Sequence, residues 1–452
     1  MEKTDGLIIG GSAAGLATAV AAKNRYPEKE ITVLRKEEQV MVPCGIPYIF
    51  GSLDGSDQNV MPTDAKFKQM GIHFKVAEVD TIDKGEQKVV LKDGSEISYE
   101  KLVIATGSTP KRPSWLNGSD LEHVYTIPKK KDYLDEMGQQ LQGKKNVVII
   151  GGGFIGVEVA DELAKSGHQV TIVEKLPHIL AVAFDKEFSE KAEEILNQRG
   201  ITLKTGIGVK ELQGNRSIER VELEDGSSLD ADAVVLSMGY SPNSTLAGQS
   251  DIPVNDQGFI KVDEYMRTSV DNIVAVGDCA EKHDFVTRKV SGIMLASTAC
   301  AEGRIAGMNL FKLNAVKTFS GTISIYSTAI GDSAFGTAGL TEAAARAEGF
   351  DVVTGYFEGI DRHPGKLPGS HKQAIKLIVA KESGVVIGGE VFGGVSAGEL
   401  TNLLGFIIQS RTHVSTIQTA QIGTQPMLTA SPAAYPLINA ANQVATKMRN
   451  GK

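Results

Sequence analysis

The stretch NVVIIGGGFIG, residues 146–156, joins a short apolar run to a turn built from glycines. An apolar strand followed by Gly-x-Gly-x-x-Gly and a helix is typical of a dinucleotide-binding βαβ unit, because the glycines let the backbone approach a pyrophosphate at the helix N-terminus. The helix is predicted to end near Ser166, and the next strand, residues 169–173, leads to Glu174. A carboxylate at that strand end accepts hydrogen bonds from a ribose 2′-hydroxyl and repels a 2′-phosphate, which favours NADH over NADPH. The alternative is a tight strand-to-helix turn that binds no nucleotide.

A second copy of this pattern opens the chain. GLIIGGSAAG, residues 6–15, is followed by a predicted helix through about Asn24 and a strand over residues 31–34. The repeat predicts two doubly wound, Rossmann-like α/β domains. This first copy is less regular, because Ser12 takes the place of the middle glycine and Arg35 that of the strand-end acid. Arg35 either meets an adenylate phosphate or adenine, or is a solvated strand end.

A later apolar strand, residues 273–276, ends at Gly277-Asp278, well after the second unit should have closed. The simplest topology returns the chain to the first domain there. Beyond about residue 320, short strands such as residues 376–380 and apolar helices such as residues 400–409 predict a separate α+β domain. The predicted domains are residues 1–110 with 244–320, an inserted domain of residues 111–243, and a C-terminal domain of residues 321–452.

Composition limits the classes of partner. The chain is 41% hydrophobic and 23% charged, as a soluble globular protein is, and its net charge of −8 includes no basic block. This argues against a nucleic-acid partner. No apolar run approaches the roughly 20 residues that span a bilayer, and residues 1–5 do not begin a signal peptide. We therefore expect a cytoplasmic enzyme without membrane association.

Three cysteines occur, without the spacing of a CxxC pair or a zinc site. Cys44 lies in MVPCGIPY, residues 41–48, where two prolines and a glycine exclude a regular strand and predict a fixed turn or a short helix start. A helix that begins after Pro43 would present N–H groups that stabilise a thiolate, the nucleophilic form. The alternative for an isolated cysteine is a small buried hydrophobe, and we assign Cys279 and Cys300 to that class.

Two strand ends support a ligand at the first glycine turn. LVIATG, residues 102–107, is a buried strand that ends in small residues, and Asp278 follows another such strand. A carboxylate at this edge of a parallel sheet could hold a sugar hydroxyl. The alternative for Asp278 is the N-cap of a helix that begins at Cys279.

In order and spacing these motifs resemble the pyridine nucleotide-disulfide oxidoreductases, and within them the branch with a single redox-active cysteine. That branch includes coenzyme A-disulfide reductases, NAD(P)H polysulfide or persulfide reductases, NADH oxidases and NADH peroxidases. The resemblance covers nearly the whole chain. It implies FAD at the first turn, NADH at the second, a homodimer formed by the C-terminal domain, and Cys44 beside the flavin. Electrons would pass from NADH through FAD to Cys44, which reduces a small sulfur substrate such as a polysulfide, or coenzyme A disulfide.

The motifs and the resemblance together predict the site residues. Cys44 is the predicted catalytic thiol and Tyr435 a candidate proton donor. No metal ligands are expected. The predicted cofactor-binding residues are Gly10, Gly11, Ser12, Ala13, Gly15, Arg35, Lys36, Pro43, Cys44, Val79, Ala105, Thr106, Gly107, Gly151, Gly153, Phe154, Ile155, Gly156, Glu158, Glu174, Gly239, Asp278, Ala296, Ser297 and Thr298.

Departures from the family pattern bear on the substrate. The oxidases and peroxidases of this branch carry a histidine where this chain has Ala13, which makes oxygen or peroxide chemistry less favoured. Coenzyme A-disulfide reductases usually have a tyrosine at the position of Leu367, and relatives often have a histidine at that of Gln425. The proton donor would then be Tyr435, His363, His371 or the thiol itself. The alternatives are an oxidase or peroxidase that cycles Cys44 through sulfenic acid, and a flavin-only electron-transfer or binding protein.

Overall fold

Three sheets organise the computed structural model, which describes residues 2–61, 64–314 and 318–451. The first sheet has seven strands and a parallel centre. In spatial order its strands are Ile72–Val76, Ile31–Arg35, Glu2–Ile9, Glu96–Ile104, Lys88–Leu91 and Val79–Asp83, with Ile273–Ala275 paired to the C-terminal end of Glu96–Ile104. The helices of this unit are Ala13–Arg25, Ala65–Gln69, Thr245–Gln249 and Ala296–Met308, and its 3₁₀ turns are Pro43–Gly45, Pro47–Phe50, Ser56–Asn59 and Gly277–Cys279.

Two helices of the first unit, Ala13–Arg25 and Ala296–Met308, pack unusually closely. A Cβ atom at Gly303 would lie 2.7 Å from the carbonyl oxygen of Ala14, and one at Gly307 would lie 2.5 Å from that of Thr18. Glycine is therefore needed for this approach. The packing brings the start of the later helix beside the first glycine turn.

The second sheet has five parallel strands. In spatial order they are Thr202–Thr205, Gln169–Glu174, Asn146–Ile150, Ala233–Leu236 and Val124–Thr126. The helices of this unit are Lys131–Leu141, Phe154–Lys165 and Lys186–Gln198, and a small antiparallel sheet is formed by Val209–Gln213, Arg220–Leu223 and Ser228–Asp230. Each glycine repeat thus begins a parallel sheet of its own, and the predicted fold class is confirmed.

The chain crosses between the two parallel sheets along an antiparallel ribbon, in which Ser108–Pro110 pairs with Tyr240–Pro242. The strand Ile273–Ala275 then lies in the first sheet beside Glu96–Ile104, in parallel register. The predicted return of the chain to the first unit matches this pairing. The exact domain bounds stay a prediction.

The third sheet is antiparallel and carries its helices as an α+β unit. The strands, in spatial order, are Tyr326–Ile330, Ser333–Gly339, Val386–Gly393, Lys372–Ala380 and Val352–Ile360. The helices are Glu342–Ala347, Ala397–Gln409, Val414–Gln418 and Pro436–Arg449, with a 3₁₀ turn at Pro432–Ala434. The predicted strand at 376–380 is the end of a longer strand, because apolar alternation alone does not mark where pairing begins.

Aromatic side chains join the C-terminal sheet to the second unit. Phe184 meets Phe335 edge-on, with ring centroids 6.2 Å apart, and Phe188 meets Tyr356 in the same way at 6.2 Å. Edge-to-face pairs add to the free energy of burying these rings. The two units therefore share a core. Over the described residues, the helices are too short or too polar to cross a membrane.

Candidate active site

The first glycine turn is shaped by backbone requirements. Gly10 has a φ of +119°, and a Cβ atom there would collide with the carbonyl of Ala105. A Cβ at Gly15 would collide with the carbonyl of Gly10. Ser12 precedes the helix Ala13–Arg25 without a side-chain capping bond, so the first N–H groups of the helix are left for another acceptor. This cradle fits the pyrophosphate of a dinucleotide such as FAD.

The second turn repeats this geometry. Gly151 has a φ of +110°, and a Cβ atom at Gly156 would collide with the carbonyl of Gly151. Glu174 lies against this turn, where Oε2 accepts a hydrogen bond from Gly152 N at 2.6 Å and Oε1 one from Leu176 N at 2.8 Å. Both carboxylate oxygens are therefore held in place beside the second turn, and their contact with a ribose stays a prediction.

A cavity of about 280 Å³ opens beside the second turn. Its wall includes Gly153, Phe154 and Glu174 from the second unit, and Ser324 and Tyr326 from the C-terminal unit. The rings of Phe154 and Tyr326 are stacked, with centroids 4.8 Å apart and an interplanar angle of 9°. Side chains from distant parts of the sequence thus build one groove beside the second turn. Sequence reasoning missed Tyr326, which lies far along the chain from the glycine turn.

Cys44 is exposed and sits in the 3₁₀ turn Pro43–Gly45. Surrounding protein withdraws water from part of the side chain, and this burial, followed by the charges of Glu158, Asp278 and Cys300, raises the pKa of the Cys44 thiol; Lys129 opposes the rise. The sequence predicted a fixed turn or a short helix start at Pro43, and the chain forms a three-residue 3₁₀ turn there. Burial is the largest cause of the raised pKa, and the charge of Glu158 is the next.

Glu158 faces this thiol from the helix Phe154–Lys165. Glu158 is half-buried, and the loss of water around its carboxylate, with the charge of Glu162, raises the pKa of Glu158 to about 7 despite a hydrogen bond from Thr328. Thr328 Oγ1 donates to Oε1 at 2.8 Å. Burial and Glu158 also raise the pKa of Tyr48. Glu158 can therefore change its protonation near neutral pH beside Cys44.

Asp278 lies inside the 3₁₀ turn Gly277–Cys279, so the alternative of an N-cap before Cys279 is wrong. Its Oδ2 accepts hydrogen bonds from Ser108 Oγ at 2.6 Å and Lys129 Nζ at 2.8 Å. Burial acts to raise the pKa of Asp278, but Lys129 and Ser108 hold it below its usual range. Among the residues that the structure describes, none donates a hydrogen bond to Oδ1, which leaves that atom for a sugar hydroxyl. This unpaired oxygen, on a side chain that is 12% exposed, fits a hydroxyl of a bound flavin nucleotide.

The guanidinium of Arg35 already contacts other residues of the protein. Its guanidinium pairs with Asp64 through two bonds of 2.8 Å and lies over the ring of Phe74, 5.3 Å from the centroid. The side chain is only 12% exposed, so the alternative of a solvated strand end is wrong. It packs against Gly11, and its contact with a nucleotide stays a prediction.

The other predicted residues lie in several elements of the first two units. Thr106 follows the strand Glu96–Ile104 and donates to the carbonyl of Asn243 at 2.5 Å. Thr298, in the first turn of the helix Ala296–Met308, is buried against Thr322 at 2.9 Å. Lys36 is exposed. Ala105 and Gly107 flank Thr106, and Ala296 and Ser297 begin the helix that contains Thr298. Val79 begins the strand Val79–Asp83, and Ile155 lies in the helix Phe154–Lys165. Gly239 has a φ of +85°.

The candidate proton donors lie in the C-terminal unit. Tyr435 is buried in the core of this unit, and burial raises its pKa. His363 Nδ1 lies 3.0 Å from the carbonyl oxygen of Thr429, and the backbone N–H of His371 donates to Asp361 at 2.7 Å. A proton-donor role for any of them stays a prediction.

Lys129 was not predicted. It belongs to a run of three lysines in which the sequence pattern distinguishes none, yet its side chain alone of the three reaches Asp278. Residues 129 and 278 are far apart in the sequence, so no local sequence pattern indicates that they pair.

Two family models match this chain, one over the two nucleotide-turn units and one over the C-terminal unit. Residues 4–303 match the family described as pyridine nucleotide-disulphide oxidoreductase, and residues 325–434 match its dimerisation domain. The NAD(P)H coenzyme A polysulfide/persulfide reductase of Pyrococcus horikoshii is 34% identical, over 86% of this chain and 87% of the relative. The NADH oxidase of Methanocaldococcus jannaschii is 30% identical, over 98% and 99% of the two chains.

Among solved structures, an NAD-dependent persulfide reductase from A. fulgidus superimposes with a TM-score of 0.90 and 30% identity, covering 99% of this chain and 84% of that one. The family that the motifs predicted is thereby confirmed. The chain belongs to the pyridine nucleotide-disulphide oxidoreductase family, whose members are FAD-dependent enzymes that use NAD(P)H.

Proposed function

We propose that this protein uses NADH to reduce a sulfur–sulfur bond of a small molecule through the thiolate of Cys44. The observation that carries the proposal is the exposed Cys44 thiol, held beside Glu158 and within reach of the charges of Asp278 and Lys129. The persulfide and polysulfide reductases among its relatives support this substrate class.

The chemistry requires a nucleophilic sulfur and a source of two electrons. The Cys44 thiolate attacks one sulfur of RS–SR′, forming Cys44–S–SR and releasing R′S⁻, which takes up a proton. Reduction of the mixed disulfide by two electrons and one proton then regenerates the thiolate and releases RSH. The overall change is NADH + H⁺ + RSSR′ → NAD⁺ + RSH + R′SH.

FAD, when bound, would carry the electrons from NADH to the sulfur. Gly10, Ser12 and Gly15 would hold its pyrophosphate, and Oδ1 of Asp278 a sugar hydroxyl. Glu158 is suited to exchange the proton of this cycle, because its pKa of about 7 lies close to neutral pH. Thr328 occupies Oε1, so Oε2 is the atom that would carry the proton.

The choice of acceptor is tested by comparing NADH oxidation with polysulfide, coenzyme A disulfide, oxygen and hydrogen peroxide. We expect kcat/KM for at least one sulfur acceptor to exceed that for oxygen and for peroxide by about 100-fold, because Ala13 provides no side-chain proton donor for the O–O bond. NADH oxidation that consumes oxygen stoichiometrically, unchanged by sulfur acceptors, would instead assign the NADH oxidase activity of the Methanocaldococcus relative.

Coenzyme A disulfide is one of the proposed acceptors, and a homodimer is part of the proposal. The match to a dimerisation domain supports the homodimer, as do exposed apolar side chains on the C-terminal unit, among them Phe406 at 68% and Leu428 at 64% exposure. Burying such side chains is favourable in a stable interface. A cytoplasmic location is also proposed, supported by cysteines that are all free thiols.

Replacing Glu174 by alanine is expected to lower kcat/KM for NADH by about 10-fold, the effect of losing one charge-assisted hydrogen bond to a ribose hydroxyl. The ratio of kcat/KM for NADH to that for NADPH should fall further, because the repulsion of a 2′-phosphate is lost as well. Glu174→Gln keeps an acceptor without charge and should mainly raise NADPH use. Steady-state kinetics with both coenzymes measure this, and an unchanged ratio in both variants would remove Glu174 from coenzyme selection.

A further inference from the structure

A buried ion pair lies beside the turn Gly277–Cys279. Glu302, on the helix Ala296–Met308, is 0% exposed, and Lys282, just after the turn, is 2% exposed. Lys282 Nζ lies 3.7 Å from Glu302 Oε1 and 5.6 Å from the ring centroid of Phe259. The proposed reaction uses neither of these charges.

The pair binds the backbone of Gly277 on both sides. Glu302 Oε2 accepts a hydrogen bond from Gly277 N at 2.7 Å, and Lys282 Nζ donates to Gly277 O at 3.0 Å and to Ala280 O at 2.7 Å. Gly277 has a φ of +79°, and a Cβ atom there would lie 2.8 Å from that of Ala14, in the helix that follows the first glycine turn. The pair therefore fixes the backbone of this turn beside the first glycine turn.

General stability does not explain the pair well, because burying two charges costs free energy that their attraction only partly offsets. Burial raises the pKa of Glu302 to about 7, an effect to which Asp278 adds and which Lys282 and the N–H of Gly277 oppose. Among the described residues, none forms a hydrogen bond with Glu302 Oε1. Three hydrogen bonds to the backbone of one turn are what the two charges provide, so their arrangement indicates a role in holding that turn.

Asp278 follows Gly277 directly in the chain. Ser108 and Lys129 fix its carboxylate through Oδ2, whereas Glu302 and Lys282 fix the backbone that carries it. Both sets of contacts leave Oδ1 open. The placement of Oδ1 relative to the first glycine turn therefore depends on the buried pair.

We propose that Glu302, paired with Lys282, is a positioning residue for FAD: it holds the backbone of Gly277 so that Asp278 Oδ1 meets a sugar hydroxyl of the flavin nucleotide. The inference rests on the proposed function for the contact between Asp278 and FAD. Because Glu302 acts through Asp278, its loss should weaken FAD binding only when Asp278 is present.

The test is a double-mutant cycle on the Kd for FAD. The FAD-loaded enzyme is diluted serially at about pH 8, where Glu302 is ionised, and free FAD is measured by its fluorescence after ultrafiltration. We expect Asp278→Ala to raise the Kd by about 100-fold and Glu302→Ala by about 10-fold, while Glu302→Gln, which keeps an oxygen for Gly277 N, stays within about 3-fold of wild type. In the double variant Asp278→Ala/Glu302→Ala, the Kd should lie within about 2-fold of that of Asp278→Ala.

Two further variants separate positioning from loss of stability. Lys376→Met removes a buried cation that lies 2.9 Å from Asp185 in another part of the molecule, and it should leave the Kd for FAD unchanged. Lys282→Met/Glu302→Leu leaves no buried charge of the pair unpaired, so it should fold even where Glu302→Ala does not, and its Kd should still rise by about 10-fold. Circular dichroism identifies any variant that misfolds.

An unchanged Kd in both Glu302→Ala and Lys282→Met/Glu302→Leu would overturn the inference alone. So would a loss from Glu302→Ala that is as large in the Asp278→Ala background as in the wild type, because the residue would then act independently of Asp278. An unchanged Kd in Asp278→Ala itself would overturn the contact between Asp278 and FAD, and the inference with it. The two failures are therefore distinguishable.

Discussion

Cys44→Ser is expected to lower NADH-dependent reduction of sulfur acceptors by about 10³-fold or more, since a serine hydroxyl is scarcely ionised at neutral pH and cannot form the mixed disulfide. Cys44 is the exposed thiol of the chain, whereas Cys279 is buried and Cys300 half-buried. The loss should appear in kcat and in kcat/KM alike, because the covalent step itself is removed.

The electron-donor half of the reaction should survive this change. On rapid mixing with NADH, flavin absorbance should fall at a rate close to that of the wild type, because the second glycine turn and Glu174 are unaltered. Cys300→Ala is the matched control, since it removes another thiol at the same site, whose Sγ lies 3.7 Å from the carbonyl of Ala13. Full acceptor turnover in Cys44→Ser would contradict the mechanism and favour the flavin-only alternative.

The nucleotide turns could be predicted from sequence because their requirement is local. A backbone with a φ above +100° at Gly10 and Gly151, and the close contacts around Gly15 and Gly156, need glycine at a fixed spacing. The same holds for the strand Gln169–Glu174, which is bounded by a glycine turn before it and a proline after it. Residues within a few positions of one another carry this information.

The electrostatics of the site could not be predicted in the same way. The local sequence predicted a turn or a short helix start at Cys44, but it gave no sign that burial, Glu158 and Asp278 would raise the pKa of the thiol. Both acids lie more than 100 residues away in the sequence. Arg35 forms an ion pair with Asp64, and Lys129 forms one with Asp278. The spacing of these residues in the sequence does not indicate either pair. Contacts of this kind depend on how units pack, which a single sequence does not reveal.

A buried ion cluster joins the C-terminal sheet to the second unit and makes a second large effect predictable. Lys376 Nζ, on the strand Lys372–Ala380, lies 2.9 Å from Asp185, 2.5 Å from Glu187 and 3.0 Å from Glu342. Glu390 is also fully buried, and its Oε1 accepts a hydrogen bond from the backbone N–H of Asp185 at 2.6 Å. Burial and the charge of Asp185 raise the pKa of Glu390 well above its usual range.

Lys376→Met is expected to lower the free energy of unfolding at pH 7 by about 3–5 kcal/mol, because it leaves the buried carboxylate of Asp185 without its cation. Burial acts to raise the pKa of Asp185, but Lys376 and backbone N–H groups hold it below its usual range. The stability from this pairing is therefore present above the pKa of an unfolded aspartate and is lost as the pH falls through the lower, folded value. The deficit of Lys376→Met relative to wild type should shrink in acid, where the carboxylates become neutral.

Two further variants test this prediction. The free energy of unfolding of each is measured by urea unfolding between about pH 4 and pH 8. Lys372→Met, on the same strand but with a side chain 77% exposed, should change little at any pH. Glu390 has a raised pKa, so its contribution to stability is present in acid and is lost as the pH rises; Glu390→Gln should therefore match wild type near pH 4 and equal or exceed it at pH 8. A deficit in Lys376→Met that is no larger than that of Lys372→Met, or that grows in acid, would show that the cluster does not hold the two units together by charge.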